Sequence, residues 1–170
     1  GSLSLSVKPD GHDLNEGRVV LLSAGVPGYV PHTEGHTAVD PTRPRVKRPG
    51  HTLANIQAAL DGVAAPPGFV GPPSLSGFDV FIGYLILDAL VANRDRHEQN
   101  WAVLRPQLLG DADRLAPSYD HGGSLGYNLS DPERERRLDD PSALAAWARK
   151  GTAHRFEHVP PPPSLVEHAA

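Results

Sequence analysis

Between an apolar stretch that ends at Val91 and a shorter one that begins at Trp101, the chain concentrates polar side chains: Asn93-Arg94-Asp95-Arg96-His97-Glu98-Gln99-Asn100. Further on, Asp120 opens the tetrapeptide Asp120-His121-Gly122-Gly123. These residue types suit phosphoryl transfer. That reaction asks a protein for a carboxylate to orient the attacking hydroxyl and for oxygen ligands that hold magnesium against the phosphates. Asp95 fits the first role, and Asn100, five places on, fits the second together with Asp120. Two short apolar runs, Trp101 to Leu104 and Leu115 to Tyr119, flank the turn Gly110-Asp111-Ala112-Asp113 and predict a small hairpin. A hairpin folds the chain back, so Asn100 before it and Asp120 after it can meet at one metal. Taken singly, Asp95 also reads as a helix-end or turn residue and Asp120 as part of an Asp-x-Gly turn. With thirteen aspartates in the chain, an Asn at this spacing can arise by accident. The order of the surrounding elements carries more weight than the spacing.

Those elements begin with a capping box, Asp13 with Glu16, predicting a short helix through Leu14, Arg18, Leu21 and Leu22. The stretch from Pro31 to Gly50 has four prolines and no apolar period, and reads as a loop. Its His32 and His36 have the spacing of a helical metal pair, but Gly35 and the prolines argue against a helix, so surface histidines are expected. Leu53, Ile56, Leu60 and Val63 predict a helix over 52–63. Ser76 with Asp79 caps a second, in which Phe78, Phe81, Ile82, Leu85, Ile86, Ala89 and Leu90 form one stripe. Val80, Leu87 and Val91 lie off that stripe, which places this helix in the middle of a domain. A final helix starts at Asp140 with Pro141 in its first position and ends at Arg149, Lys150 and Gly151. Pro160 to Pro163 precede a terminal stub, and no internal repeat is visible.

Composition sets the outer bounds. A chain of 170 residues suits one domain, 3–170, with an ordered catalytic core at about 51–156. A hydrophobic share of 39%, with 17 Gly and 18 Pro, predicts helices joined by long Pro-rich connections. The absence of Cys excludes disulfides, a thiolate nucleophile and Cys-ligated zinc. The apolar run from Val80 to Ala92 is interrupted by Asp88 and too short to span a bilayer, and no signal peptide is visible; a cytoplasmic location with no membrane partner is expected. A net charge of −4 argues against general nucleic-acid binding. The basic cluster Arg43, Arg45, Lys47 and Arg48 is broken by prolines and reads as a solvated loop. Gly1-Ser2 has the look of a tag remnant, and with no Met present the chain reads as a piece of something longer. Thirteen Arg against three Lys, with abundant Ala, Pro and Gly, is the composition of a GC-rich bacterial genome.

With these residues in view, the stretch from Val91 to Trp101, followed by Leu115-Ala-Pro-Ser-Tyr-Asp-His-Gly-Gly-Ser-Leu-Gly, resembles the HipA-like serine/threonine kinase family. The Asp-Arg-His-x-x-Asn core and the later Asp-x-Gly are similar in phosphatidylinositol 3- and 4-kinases. Trp147-Ala-Arg-Lys-Gly-x-Ala extends the HipA likeness, so the specific motifs cover residues 78 to 156. The resemblance implies a mainly α, protein-kinase-like C-lobe with a small β-hairpin. It makes Asp95 the base, Asn100 and Asp120 the magnesium ligands, and ATP the phosphate donor to a protein substrate. It puts His97 beside Asp95, orienting it or contacting phosphate, and leaves the role of His121 open. Arg96 reads either as a phosphate contact or as a surface charge. The N-lobe that covers ATP in such enzymes has no counterpart here: there is no Gly-x-Gly-x-x-Gly, and Lys8 lies in a plausible hinge strand too near the start for a lobe before it. The chain is then an isolated C-lobe, part of a split kinase completed by an upstream segment or another chain, or a relative that no longer phosphorylates. A lipid or small-molecule kinase and a non-catalytic interaction module are the competing readings.

Overall fold

A computed structural model describes residues 6–32, 39–108 and 110–170. Its described elements, in chain order, are β1 (His12–Glu16), α1 (Gly17–Ser23), α2 (Leu53–Ala59), α3 (Gly77–Leu90), β2 (Ala102–Pro106), β3 (Arg114–Leu115), α4 (Asp131–Asp139), α5 (Pro141–Arg149) and α6 (Leu165–Ala169). The architecture is mainly helical with one small antiparallel sheet.

The helix that leads into the polar stretch forms as its pattern predicts. Ser76 and Asp79 close a reciprocal capping box at the start of α3, with Asp79 Oδ2 accepting from the Ser76 amide at 2.8 Å. Val80, Phe81 and Leu85 are buried, and Phe81 packs edge-on against the buried Trp101 ring at 5.5 Å between centroids. The helix is not enclosed, however. Ile86, Leu87 and Leu90 lie on an exposed face, because α6 and the sheet cover only part of its circumference.

β2 and β3 form the expected hairpin, with Val103 opposite Leu115. The sheet has a third member that the sequence does not announce. β1 pairs along the whole of β2, from His12 opposite Pro106 to Glu16 opposite Ala102. This corrects the helix expected from Asp13: the open edge of β2 takes residues 12–16 as a strand, and Leu14 packs beside Ala102, Leu104 and Ala116. Helix α1 begins only at Gly17, where a Cβ would run into the Trp101 ring. The hinge strand expected around Lys8 is not found over its described part, residues 6–8, and residues 3–5 lie outside the description.

Helix α2 is shorter than its apolar spacing suggests. Thr52 caps it at the Asn55 amide, and Leu60 and Val63 pack from beyond its end. α5 begins where expected, with Asp140 Oδ1 capping Ser142 and Ala143. Two helices escape sequence reading. α4 is mostly charged, exposes its one leucine, Leu138, and has no buried residue. α6 is a single capped turn that inserts Leu165 beside α3. No helix among the described residues is long and apolar enough to cross a membrane.

A candidate phosphotransfer site

The polar stretch is held in place by one carboxylate inside the apolar helix. Asp88, 1% exposed, receives Arg96 through two parallel bonds of 2.7 Å, from Nε and Nη2. Planar guanidinium–carboxylate pairing of this kind fixes geometry as well as energy. Asn93, fully buried, donates to Asp88 Oδ1 at 2.8 Å and accepts the Asp95 amide at 3.2 Å. Arg96 also reaches the Asn100 carbonyl at 2.6 Å, the Ser118 hydroxyl at 3.0 Å and, weakly, the Tyr119 carbonyl at 3.5 Å. Arg96 is therefore neither a surface charge nor a phosphate contact. It is a buried tie that joins α3, the 93–100 loop and the chain leaving β3, and Asp88 and Ser118 occupy the donors a phosphate would need.

That tie brings the two halves of the site together. The Asn100 and Tyr119 carbonyls converge on one Arg96 nitrogen, and the Tyr119 hydroxyl donates to the Gln99 carbonyl at 2.7 Å. Asp120, the next residue, thus follows a segment docked on the loop that ends in Asn100. Its carboxylate is exposed, and its backbone sits in the left-handed region at φ 55°, which Asp tolerates better than most residues. Asn100 is buried, and its Nδ2 donates to the Asp95 carbonyl at 2.8 Å. This bond orients the amide and leaves Oδ1 as its remaining ligand atom. Ser118 accepts from Arg96 and shares a hydrogen bond with His121 Nε2 at 3.0 Å. His121 Nδ1 is buried and has no partner among the described residues. Magnesium keeps few protein ligands and completes its shell with water and phosphate oxygens. No group of three His, Asp or Glu suited to a metal occurs among the described residues, so a metal here would depend on such outside oxygens.

Around Asp95 the structure adds residues that the sequence does not single out. Arg155 lies 2.6 Å from Asp95 Oδ1, and His97 Nε2 lies 3.9 Å from Oδ2. His97 is held below the usual imidazole range, first by burial and then by Arg155 and Arg48, against the opposing pull of Asp95. Arg48 belongs to the basic cluster expected to be solvated. Its side chain is instead 12% exposed and faces Glu98 at 3.7 Å, while Glu98 Oε1 accepts the His32 amide at 3.0 Å. Burial alone would raise the Glu98 carboxyl, but His51, the backbone amides and Arg48 together bring it below its ordinary value. Arg43 is tied down too, to Asp40 at 2.7 Å and Glu157 at 2.8 Å. His36, the other member of the histidine pair, lies outside the described residues.

His51 is the largest omission. It is buried, stacked on Phe156 at 4.7 Å, and takes a bond from Trp101 Nε1 at 3.3 Å on Nε2. Nδ1 must then be the protonated nitrogen and donate to the Arg155 carbonyl at 2.8 Å. His51 thereby positions the backbone of the residue that pairs with Asp95. A lone His after a Pro-Gly turn carries no signal of this. Asp88 did carry one: a carboxylate inside an apolar helix needs a buried partner.

Beside Asp95 opens a cleft of about 530 Å³, lined in part by Gly123, Trp147, Lys150 and His154. A Cβ at Gly123 would make ordinary contact with Asn93 Oδ1 at 3.4 Å and Asp95 Cβ at 3.6 Å, which places this glycine beside both.

Among solved structures, the fold is similar to the crystal structure of a Helicobacter pylori proinflammatory kinase, CtkA, with a TM-score of 0.50 and 18% sequence identity, which supports a kinase-like fold. The likeness covers 82% of this chain and 42% of that one, so this chain spans less than half the length of the kinase it matches. No family model and no curated protein matches the sequence.

Proposed function

We propose that this chain is the catalytic, magnesium-binding lobe of a HipA-like kinase that transfers the γ-phosphate of ATP to a serine or threonine hydroxyl of a protein. The observation that carries this reading is the bond from Asn100 Nδ2 to the Asp95 carbonyl at 2.8 Å. It links the candidate base to a candidate metal ligand and leaves the amide oxygen for the metal, while the Arg96 tie docks the Asp120 segment on the same loop.

In this reading Asp95 acts on the acceptor. Arg155 occupies Oδ1, so Oδ2 takes the hydroxyl and aligns it for in-line attack. Asn100 Oδ1 and Asp120 hold magnesium, which would neutralise charge on the phosphates. His97 stands on the Oδ2 side of Asp95, and His121 Nδ1 lies unpartnered among the described residues in the Asp-x-Gly segment. Arg96 has no direct role with phosphate. An N-lobe, from an upstream segment or another chain, would have to supply the cover over ATP.

The test is phosphate transfer from labelled ATP to protein by this chain joined to its natural upstream sequence. Transfer is expected to be abolished by Asp95→Ala and by Asp120→Ala. Activity that survives both substitutions would sink the assignment, and label found only in lipid would favour a phosphoinositide-type kinase.

A further inference from the structure

The cleft beside Asp95 has a charge opposite to that of the protein. The chain carries a net −4, yet Arg94, Lys150 and Arg155 line the cleft, and Asp95 is the one carboxylate among its described lining residues. Arg155 is committed to Asp95. Among the described residues Arg94 makes only a long contact, 3.4 Å to the Thr152 hydroxyl, and Lys150 lies exposed at the C-cap of α5. Lys150 and its neighbour Arg149 offset the negative end of that helix, which would otherwise repel an anion. His154, between these cations, is held below its usual range first by burial and then by Arg155 and Arg94, consistent with a locally positive field. Trp147 supplies an apolar wall. A cleft with two uncommitted cations and an aromatic face next to the candidate base favours a short negatively charged segment.

Resting on the kinase reading above, we propose that the cleft selects the acceptor: a serine or threonine peptide whose flanking residues are acidic or already phosphorylated. The hydroxyl sits at Asp95, and the flanking negative charge is met by Arg94 and Lys150. The net negative charge of the chain disfavours a long polyanion such as RNA, whose phosphates would run beyond the cleft.

The experiment is fluorescence anisotropy on this chain without nucleotide. Short labelled peptides carry a central Ser flanked by Glu, by Gln, or by phosphoserine. An exposed ion pair contributes a factor of about two to five, so two cations should favour the Glu peptide over the Gln peptide by about tenfold, and the phosphoserine peptide by at least as much. The surface substitutions Arg94→Gln and Lys150→Gln together should remove the preference, with the thermal midpoint unchanged. Equal binding of the Glu and Gln peptides, a preference that persists in the double variant, or tighter binding of a single-stranded oligonucleotide of equal charge would each overturn the proposal. Because binding is read without ATP, a peptide preference alongside no ATP·Mg²⁺ binding would count against the phosphotransfer reading and leave the charge selectivity of the cleft standing.

Discussion

Removing the Asp88 carboxylate should be the most damaging single change near the site, although Asp88 takes no part in the chemistry. Arg96 is 2% exposed and directs two 2.7 Å bonds at Asp88. In Asp88→Ala those donors would be buried without a counter-charge, and Asn93 would lose its partner as well. Breaking one side of a buried ion pair costs about 3–5 kcal/mol, a large share of the roughly 5–15 kcal/mol that holds a domain together. For a domain of this size each kcal/mol moves Tm by about 2–4 °C, so Tm should fall by about 6–20 °C. Thermal and urea unfolding measure both quantities. Replacing the pair together, Asp88→Leu with Arg96→Met, removes the uncompensated charge and should recover much of the loss. If Asp88→Ala costs less than about 1 kcal/mol, Arg96 finds water or another partner and the buried-tie argument fails.

Stability should also respond to acid through His51, whose pKa burial lowers from 6.5 to about 4. The unfolded chain binds this proton first, so stability is complete above pH 6.5 and declines as pH falls towards 4. The full change is about 3 kcal/mol, and His51→Gln should flatten that part of a Tm-against-pH curve. Carboxylates held low, such as Glu98, add their losses only at still lower pH. In ATP·Mg²⁺ titrations of the chain with its upstream sequence, Asn100→Ala and Asp120→Asn should weaken binding clearly, while Asp95→Asn leaves it within about threefold and slows the chemical step; the reverse pattern would exchange the roles. Gly50→Ala should destabilise by about 2 kcal/mol or more, because φ is +77° and the added Cβ falls on the Tyr29 backbone; urea unfolding would show it.

The sequence by itself determined the parts whose signals are local. The Ser76–Asp79 box and the stripe from Phe78 to Leu85 define α3, Asp140-Pro141 starts α5, and the turn at 110–113 folds the hairpin, because capping and periodicity act within a few residues. The same locality made Asp95, Asn100 and Asp120 legible as candidates. What only the tertiary structure decided involves partners far apart in the chain. Residues 12–16 are a strand rather than a helix because β2 offers an unpaired edge 90 residues away. Arg96 moves from the surface to the core because the chain leaving β3, more than 20 residues on, brings Ser118 and the Tyr119 carbonyl against the guanidinium that Asp88 already holds. Arg155 stands at Asp95 with its carbonyl bonded to His51, a residue 104 positions earlier that Trp101 holds through the other ring nitrogen. A buried charge or polar hydrogen must find its counterpart wherever the chain brings one, and sequence spacing does not record that meeting.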